Sequence, residues 1–275
     1  MYPFLKGHGT ENDFVLLPDH EGFEHGDLPA ERVRALCDRR AGIGGDGVLR
    51  VIRTAVIDPA QADQAEWFMD YRNADGSVSE MCGNGIRVFA QHLIAEGLVP
   101  ADQPVPIATR DGLKIVVVNP DDTLTADLGR PQLLGQSEVT VGDRAWGARH
   151  VDLGNPHAVA FVDDLTDAGL LLDEPGYDHG EYPEGVNVEF VVRQGERHVA
   201  MRVHERGSGE TRSCGTGACA VMVAVADADG DRPDGREVTY RVDVPGGVLN
   251  VTWTADDRVL LTGPAEIVAA GIADL

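Results

Sequence analysis

Two short loops carry the residues most able to do chemistry. Met81-Cys82-Gly83-Asn84-Gly85 in the first half returns as Ser213-Cys214-Gly215-Thr216-Gly217 in the second, 132 residues on, close to half of the 275-residue chain. A thiol at a helix start, followed by glycines that expose backbone N–H groups, is an anion site and a place where a thiolate forms readily. Free cysteine titrates near ~8.5, and a helix N-terminus or a neighbouring cation lowers that to roughly 3.5–7.5. Two such loops facing one cleft would set a proton donor and a proton acceptor on opposite sides of one carbon atom. That is the equipment for inverting a stereocentre.

The same backbone groups suit a carboxylate. Gly83 with Asn84, and Gly215 with Thr216, can pin one from both sides. A well-placed donor stabilises the enediolate-like form of a deprotonated amino acid by ~2.7–4 kcal/mol. Positioned acid–base groups add roughly 10²–10⁴-fold. At the same offset Asn73, in Asn73-Ala74-Asp75-Gly76-Ser77, falls opposite Glu205, in Glu205-Arg206-Gly207-Ser208-Gly209-Glu210-Thr211, each nine residues before its cysteine. A duplicated scaffold with diverged polar groups suits a ligand with two unlike ends. The other two cysteines read as small buried hydrophobes: Cys37 shares an apolar face with Val33 and Leu36, and Cys219 lies in an all-apolar run. No pair is spaced C-x-x-C, and the step from Cys214 to Cys219 suits neither a redox pair nor a zinc knuckle.

The elements that must hold these loops are mostly strands. Short β-like runs occupy 13–17, 48–53, 66–71, 113–119, 150–152, 158–162, 187–193, 198–204, 237–244, 248–253 and 259–262, with hairpin turns at 193–196 and 244–247. Helical spacing appears over 29–39, 85–96 and 217–227. Pro29 suits a helix start and Gly97 a helix stop. The stretch 217–227 is apolar all round, so its helix is buried on every side. Strands, a polar arm, the cysteine loop and a helix recur in that order in each half, with the boundary around 119–130, where Asn119-Pro120-Asp121-Asp122 is a turn cluster. This predicts two similar α+β domains, each wrapping strands around one central helix, with the ligand site in the cleft between them.

Composition narrows the function. A net charge of −23 argues against nucleic acid or an anionic membrane as partner. No apolar run approaches the ~20 residues of a membrane span. Met1-Tyr2-Pro3-Phe4-Leu5-Lys6 lacks a signal-peptide hydrophobic region, so a cytoplasmic location with reduced cysteines is expected. The only lysines are Lys6 and Lys114, neither in a phosphate loop nor in a context suited to a Schiff base, so no cofactor is expected. Asp19-His20-Glu21 with Glu24-His25 mimics metal ligands, but its irregular spacing reads as a solvated segment, and no metal site is expected.

Seven pieces in order make the chain resemble the diaminopimelate epimerase family. They are His8-Gly9-Thr10-Glu11-Asn12-Asp13-Phe14, Tyr71-Arg72-Asn73-Ala74-Asp75-Gly76-Ser77, Met81-Cys82-Gly83-Asn84-Gly85-Ile86-Arg87, Gly154-Asn155-Pro156-His157, Gly185-Val186-Asn187, the Glu205–Thr211 arm and the Cys214 loop. The resemblance implies cofactor-independent interconversion of LL- and meso-2,6-diaminopimelate in lysine and peptidoglycan precursor synthesis. It implies two pseudo-symmetric halves, 1–123 and 124–263, each a mostly antiparallel sheet around a central helix, with the tail 264–275 packed back on the first. Cys82 would be the proton donor and Cys214 the acceptor in the LL-to-meso direction. Gly83, Asn84, Gly215 and Thr216 would hold the reacting carboxylate. Asn12, Asn73, Asn155, Asn187, Glu205 and Arg206 would bind the remaining groups, with the Arg206 fork suited to a distal carboxylate. His157 and Glu205 would tune the thiols. Gly47 stands where the family often has glutamine, and Ala269 where some members carry an aromatic linked to dimerisation. A homodimer is the expected assembly. A proline racemase or hydroxyproline epimerase is the near rival, disfavoured by Asn84 and the Glu205-Arg206 arm. A non-catalytic amino-acid-binding or thiol-sensing protein is the distant one.

Overall fold

The computed structural model describes residues 1–274 and divides into two units, Met1–Ala126 with the tail from Gly263, and Asp127–Thr262. Along the chain the first unit holds β1 (Tyr2–Gly9), β2 (Asn12–Pro18), α1 (Ala30–Cys37), β3 (Gly47–Arg53), α2 (Thr54–Ile57), β4 (Trp67–Asn73), α3 (Gly83–Ala95), β5 (Val105–Thr109), β6 (Gly112–Val118) and β7 (Leu124–Asp127). The second holds β8 (Gln132–Val141), β9 (Arg144–Asp152), β10 (Pro156–Phe161), β11 (Gly176–Tyr177), β12 (Asn187–Gly195), β13 (His198–Glu205), β14 (Gly209–Thr211), α4 (Gly215–Ala228), β15 (Val238–Val244), β16 (Gly247–Trp253) and β17 (Val259–Gly263). The tail adds β18 (Glu266–Ala273), which pairs with β1.

Each unit is an α+β body built on one plan. The first orders its strands β18-β1-β2-β3-β4-β5-β6-β7, the second β8-β9-β10-β12-β13-β15-β16-β17. Only β2–β3 and β4–β5 are parallel in the first order, and only β10–β12 and β13–β15 in the second. The register carries the repeat to single residues. Val48 stands between Val15 and Arg72, as Val188 stands between Ala158 and His204. Stepping along the strands matches Asn12 with Asn155, Phe14 with His157, Leu49 with Glu189, Arg50 with Phe190 and Asn73 with Glu205.

The central helices explain why the sheets curl. α3 touches β1, β2, β3, β4, β6 and β18, and α4 touches β9, β10, β12, β13, β15 and β16, so each sheet closes around its helix. In α4 every residue from Gly215 to Ala226 is buried. Its fully buried valines and methionine each contribute about 1.5–3 kcal/mol relative to exposure. Both helices end alike. Leu98 N–H donates to the Leu93 carbonyl and Gly97 N–H to that of Ile94; Asp231 donates to Ala226 and Gly230 to Asp227. Gly97 and Gly230 both take a φ of 68°, completing the same C-terminal motif.

Several elements depart from the sequence pattern. The structure has strands at β1, β5, β7, β8 and β18 where no run is expected, and β9 starts at Arg144 rather than at 150. β18 is exposed along most of its length and β8 along half of it, so no regular in–out alternation marks them. Pro3 and Pro106 mask β1 and β5. β12 runs through Gly195, which puts the hairpin bend at Glu196-Arg197 rather than at 193–196. The segment 19–25 is not simply solvated: Asp19 and His25 are buried. Asp19 accepts the backbone N–H groups of Glu24 and His25 and pairs with Arg50 at 2.6 Å. Burial opposes its charge, yet those bonds hold the carboxyl below the ordinary value. Asp70, also buried, is bound by Arg72 and Arg110 at 2.9 and 2.6 Å and is held low despite burial.

Candidate active site: two thiol loops

In the first unit the chain leaves β4 at Asn73, turns, and enters α3 with Cys82 as the N-cap. The Sγ of Cys82 accepts the Gly85 N–H at 3.3 Å, where a serine or threonine oxygen would usually sit. Asn12 Oδ1 lies 3.8 Å from that sulfur and accepts Asn84 Nδ2 at 3.2 Å. Asn12 Nδ2 donates to Asp46 at 2.8 Å. Arg87, fully buried on α3, donates to the Gly83 carbonyl at 3.0 Å and to Asn84 Oδ1 at 2.9 Å, which pins the first turn. Asp46 is pushed up by burial and by the neighbouring Asp13 carboxylate. Asn73 stands apart from this chain of bonds, donating to Ser77 Oγ at 3.0 Å within its own turn.

The second loop repeats the cap with a different backing. Cys214 Sγ accepts the Gly217 N–H at 3.3 Å and lies 3.5 Å from Thr216 Oγ1. Asn155 Nδ2 donates to Thr216 Oγ1 at 3.5 Å, and its Oδ1 faces His157 Nε2 at 3.1 Å. His157 Nδ1 lies 2.6 Å from Glu189 Oε1, and both side chains are fully buried. Asn187 acts as a brace: Nδ2 donates to the Pro156 carbonyl at 3.1 Å, and Oδ1 accepts the Arg206 N–H at 3.0 Å. Arg206 Nη1 donates to the Glu184 carbonyl, and Glu205 accepts the Thr211 hydroxyl.

The expectation of an easily formed thiolate does not hold at Cys214. Burial pushes its thiol up, and the Glu205 and Glu189 carboxylates push the same way. The Thr216 hydroxyl and the Gly217 N–H pull it down but do not outweigh burial. Cys214 is 5% exposed, so the helix start acts without solvent to help the charge. Cys37, buried at the end of α1, is pushed up to about 12 by burial. Cys219 is likewise buried, on α4.

The structure joins Cys82 with Asn12, Gly83 and Asn84, and Cys214 with Thr216, Asn155 and His157. Sequence reasoning missed Asp46, Arg87 and Glu189. Glu189 had a visible signal: one carboxylate inside the apolar run Val188–Val192. Gly47 has a local reason, since a Cβ there would meet the Arg72 carbonyl oxygen at 2.6 Å. Both lysines are engaged in ion pairs, Lys6 with Asp13 and Lys114 with Asp111. Among the described residues no group of three or more His, Cys, Asp or Glu could hold a metal ion, and no helix is long and apolar enough to cross a membrane.

The family profile described as diaminopimelate epimerase matches residues 4–134 and 149–268. A diaminopimelate epimerase of Streptomyces coelicolor is 58% identical over 98% of this chain and 95% of its own length. That of Rhodococcus jostii is 46% identical over 98% and 96%, and that of Thermobifida fusca 46% over 98% and 96%. Among solved structures, a PhzF-family phenazine biosynthesis protein of Bacillus anthracis aligns with a TM-score of 0.72 at 16% identity, covering 100% of this chain and 99% of its own. A hydroxyproline epimerase of Agrobacterium vitis aligns at 0.69 and 15%, covering 98% and 91%. At such identities the structural likeness shows the two-unit α+β fold alone.

Proposed function

The chain belongs to the diaminopimelate epimerase family, and from that premise we propose how its two thiol loops divide the reaction. The enzyme is an isomerase that epimerises LL-2,6-diaminopimelate to the meso form. In the LL-to-meso direction the thiolate of Cys214 takes the α-hydrogen as a proton. Cys82 then delivers its S–H proton to the other face of the carbanion and is left as the thiolate. Inversion needs a donor and an acceptor, and the chain supplies two thiols in loops of like construction. The observation that carries this reading is the shared cap: each sulfur accepts the third N–H of its helix at 3.3 Å.

Burial keeps the resting Cys214 a thiol, since its acidity is depressed by desolvation first and by two carboxylates next. An arriving α-ammonium group brings a positive charge that offsets those carboxylates and favours the thiolate. The first-turn N–H groups at Gly83, Asn84, Gly215 and Thr216 carry the partial positive charge of their helix starts and stabilise the carboxylate as it takes up charge from the α-carbon. Asn12, Asn73 and Asn155 bind through their amides, Arg206 takes the distal carboxylate, and Asn187 holds the Arg206 backbone. His157 and Glu205 set the acidity at Cys214. No cofactor takes part in this scheme.

The same reading includes a homodimer in the cytoplasm. Val268 and Ile272 on β18, 53% and 65% exposed, support an apolar contact there. The reaction is tested by incubation with LL-diaminopimelate in heavy water. Meso product carrying one α-deuterium at the inverted centre is expected, and product formed with the original hydrogen retained would sink the two-base scheme.

A further inference from the structure

A buried acid stands behind the loop of Cys214, and the scheme above uses only its charge. Glu189, on β12, is fully buried, and its Oε1 approaches both His157 Nδ1 at 2.6 Å and the space beside Gly217, where a Cβ would lie 2.7 Å from it. We propose that Glu189 is a positioning residue that, through His157, Asn155 and Thr216, aims a hydroxyl hydrogen at the sulfur of Cys214. This deepens the proposed use of Cys214 and rests on that reading.

The polarity of the chain follows from its atoms. Asn155 Oδ1 only accepts, so His157 Nε2 must carry a hydrogen and donate to it across 3.1 Å. Asn155 is thereby oriented with Nδ2 toward Thr216 Oγ1, where it donates. A hydroxyl oxygen that receives this bond turns its own hydrogen to the remaining neighbour, Cys214 Sγ at 3.5 Å. Were Nε2 to lose its hydrogen, Asn155 would turn over, the Thr216 hydroxyl would point at Asn155, and the sulfur would lose a donor. Glu189 guards against that. Its Oε1 and the two ring nitrogens share two protons, and wherever the inner one sits, Nε2 keeps the outer one. The matching pair in the first unit is Phe14 and Leu49, so Asn12 is held from Asp46 instead. Glu205 from β13 and Glu189 itself also face Cys214 with like charge.

The charge of Glu189 and its positioning act in opposite senses, which makes the test decisive. Rates of iodoacetamide alkylation at Cys214 and Cys82 are followed against pH by peptide mass spectrometry, without substrate. In Glu189→Leu, loss of aim should slow Cys214 by roughly tenfold, the worth of one hydrogen bond to a charged group, with Cys82 unchanged. Faster alkylation would mean that the carboxylate acts only through its charge, and an unchanged pH profile would mean that it does not act at all; either overturns the proposal. Glu189→Gln keeps a donor to Nδ1 and should stay within about threefold of the parent, since a neutral hydrogen bond replaces a charge-assisted one. In a His157→Phe background the aim is already lost, so Glu189→Leu should no longer slow Cys214 and can only speed it by removing the like charge; a further slowing there overturns the proposal even if Glu189→Leu alone does not fold. Because no substrate is present, this outcome is independent of the heavy-water experiment, whose failure would remove the epimerase scheme and leave the relay standing.

Discussion

The two thiol loops share a backbone and differ in what stands behind it. Each cysteine caps its helix through the third N–H at 3.3 Å, and each helix closes on the same glycine motif. Behind Cys82 lie Phe14 and Leu49, both fully buried. Behind Cys214 lie His157 and Glu189, in the same register. A scaffold that positions a sulfur can therefore be copied whole, while two inward side chains decide how that sulfur is solvated. The units also bury their ions in different places. The first places Arg50 and Asp70 in its sheet, where the second has Phe190 and the part-exposed Arg202. Leu49 contacts the α3 start while its neighbour Arg50 turns to the other face of the strand, so the two ionic clusters sit on opposite sides of equivalent strands.

The widest break in this comparison would come from removing the sulfurs. Cys82→Ala and Cys214→Ala should each lower epimerase turnover by roughly 10²–10⁴-fold, the worth of a positioned acid or base. A steady-state assay that found one variant near parental turnover would show that only one loop does proton chemistry. A smaller effect separates the two helix starts. Gly217→Ala should cost on the order of 1–3 kcal/mol by overpacking, because the new methyl meets the buried Glu189 carboxylate at 2.7 Å. Gly85→Ala meets only Cys82 and the Leu49 methyl at 3.2 Å, and the gain in helix propensity of about 0.5–1 kcal/mol offsets that contact. Equal urea midpoints for the two variants would erase the distinction.

The subtlest difference is in acid. Asp13, Asp19 and Asp70, all in the first unit, are held below their ordinary value by arginine, lysine and backbone partners that outweigh burial. Their stabilisation is present above the unfolded carboxylate value near ~3.9 and is lost as pH falls through the depressed folded values. Glu189 is raised by burial, so its contribution runs the other way: full below the unfolded value and lost as pH rises through the folded one. Hydrogen exchange should show β3 and β4 losing protection between pH 5 and pH 2.5 before β12 and β13 do. Simultaneous loss would mean that the two units unfold as one.

Much was legible before any coordinates. The repeated Cys-Gly-x-Gly loops, the apolar spacing of Ile86, Phe89, Ala90 and Leu93, and the all-apolar run from Ala218 to Val225 depend on neighbours within a few residues, and such local patterns survive in the linear chain. They identified both thiols, both central helices and the α+β plan. Hidden from that reading were matters settled by residues far apart in the chain. β18, and β8 before its buried Val139, leave no regular in–out pattern, and pairing with distant strands makes them strands. Asp19 looks solvated until Arg50, 31 residues on, is folded against it. The thiol of Cys214 looks easily ionised from its helix start, but desolvation by the whole unit and the Glu205 and Glu189 carboxylates reverse the sign, because the cost of a buried charge depends on everything that excludes water around it.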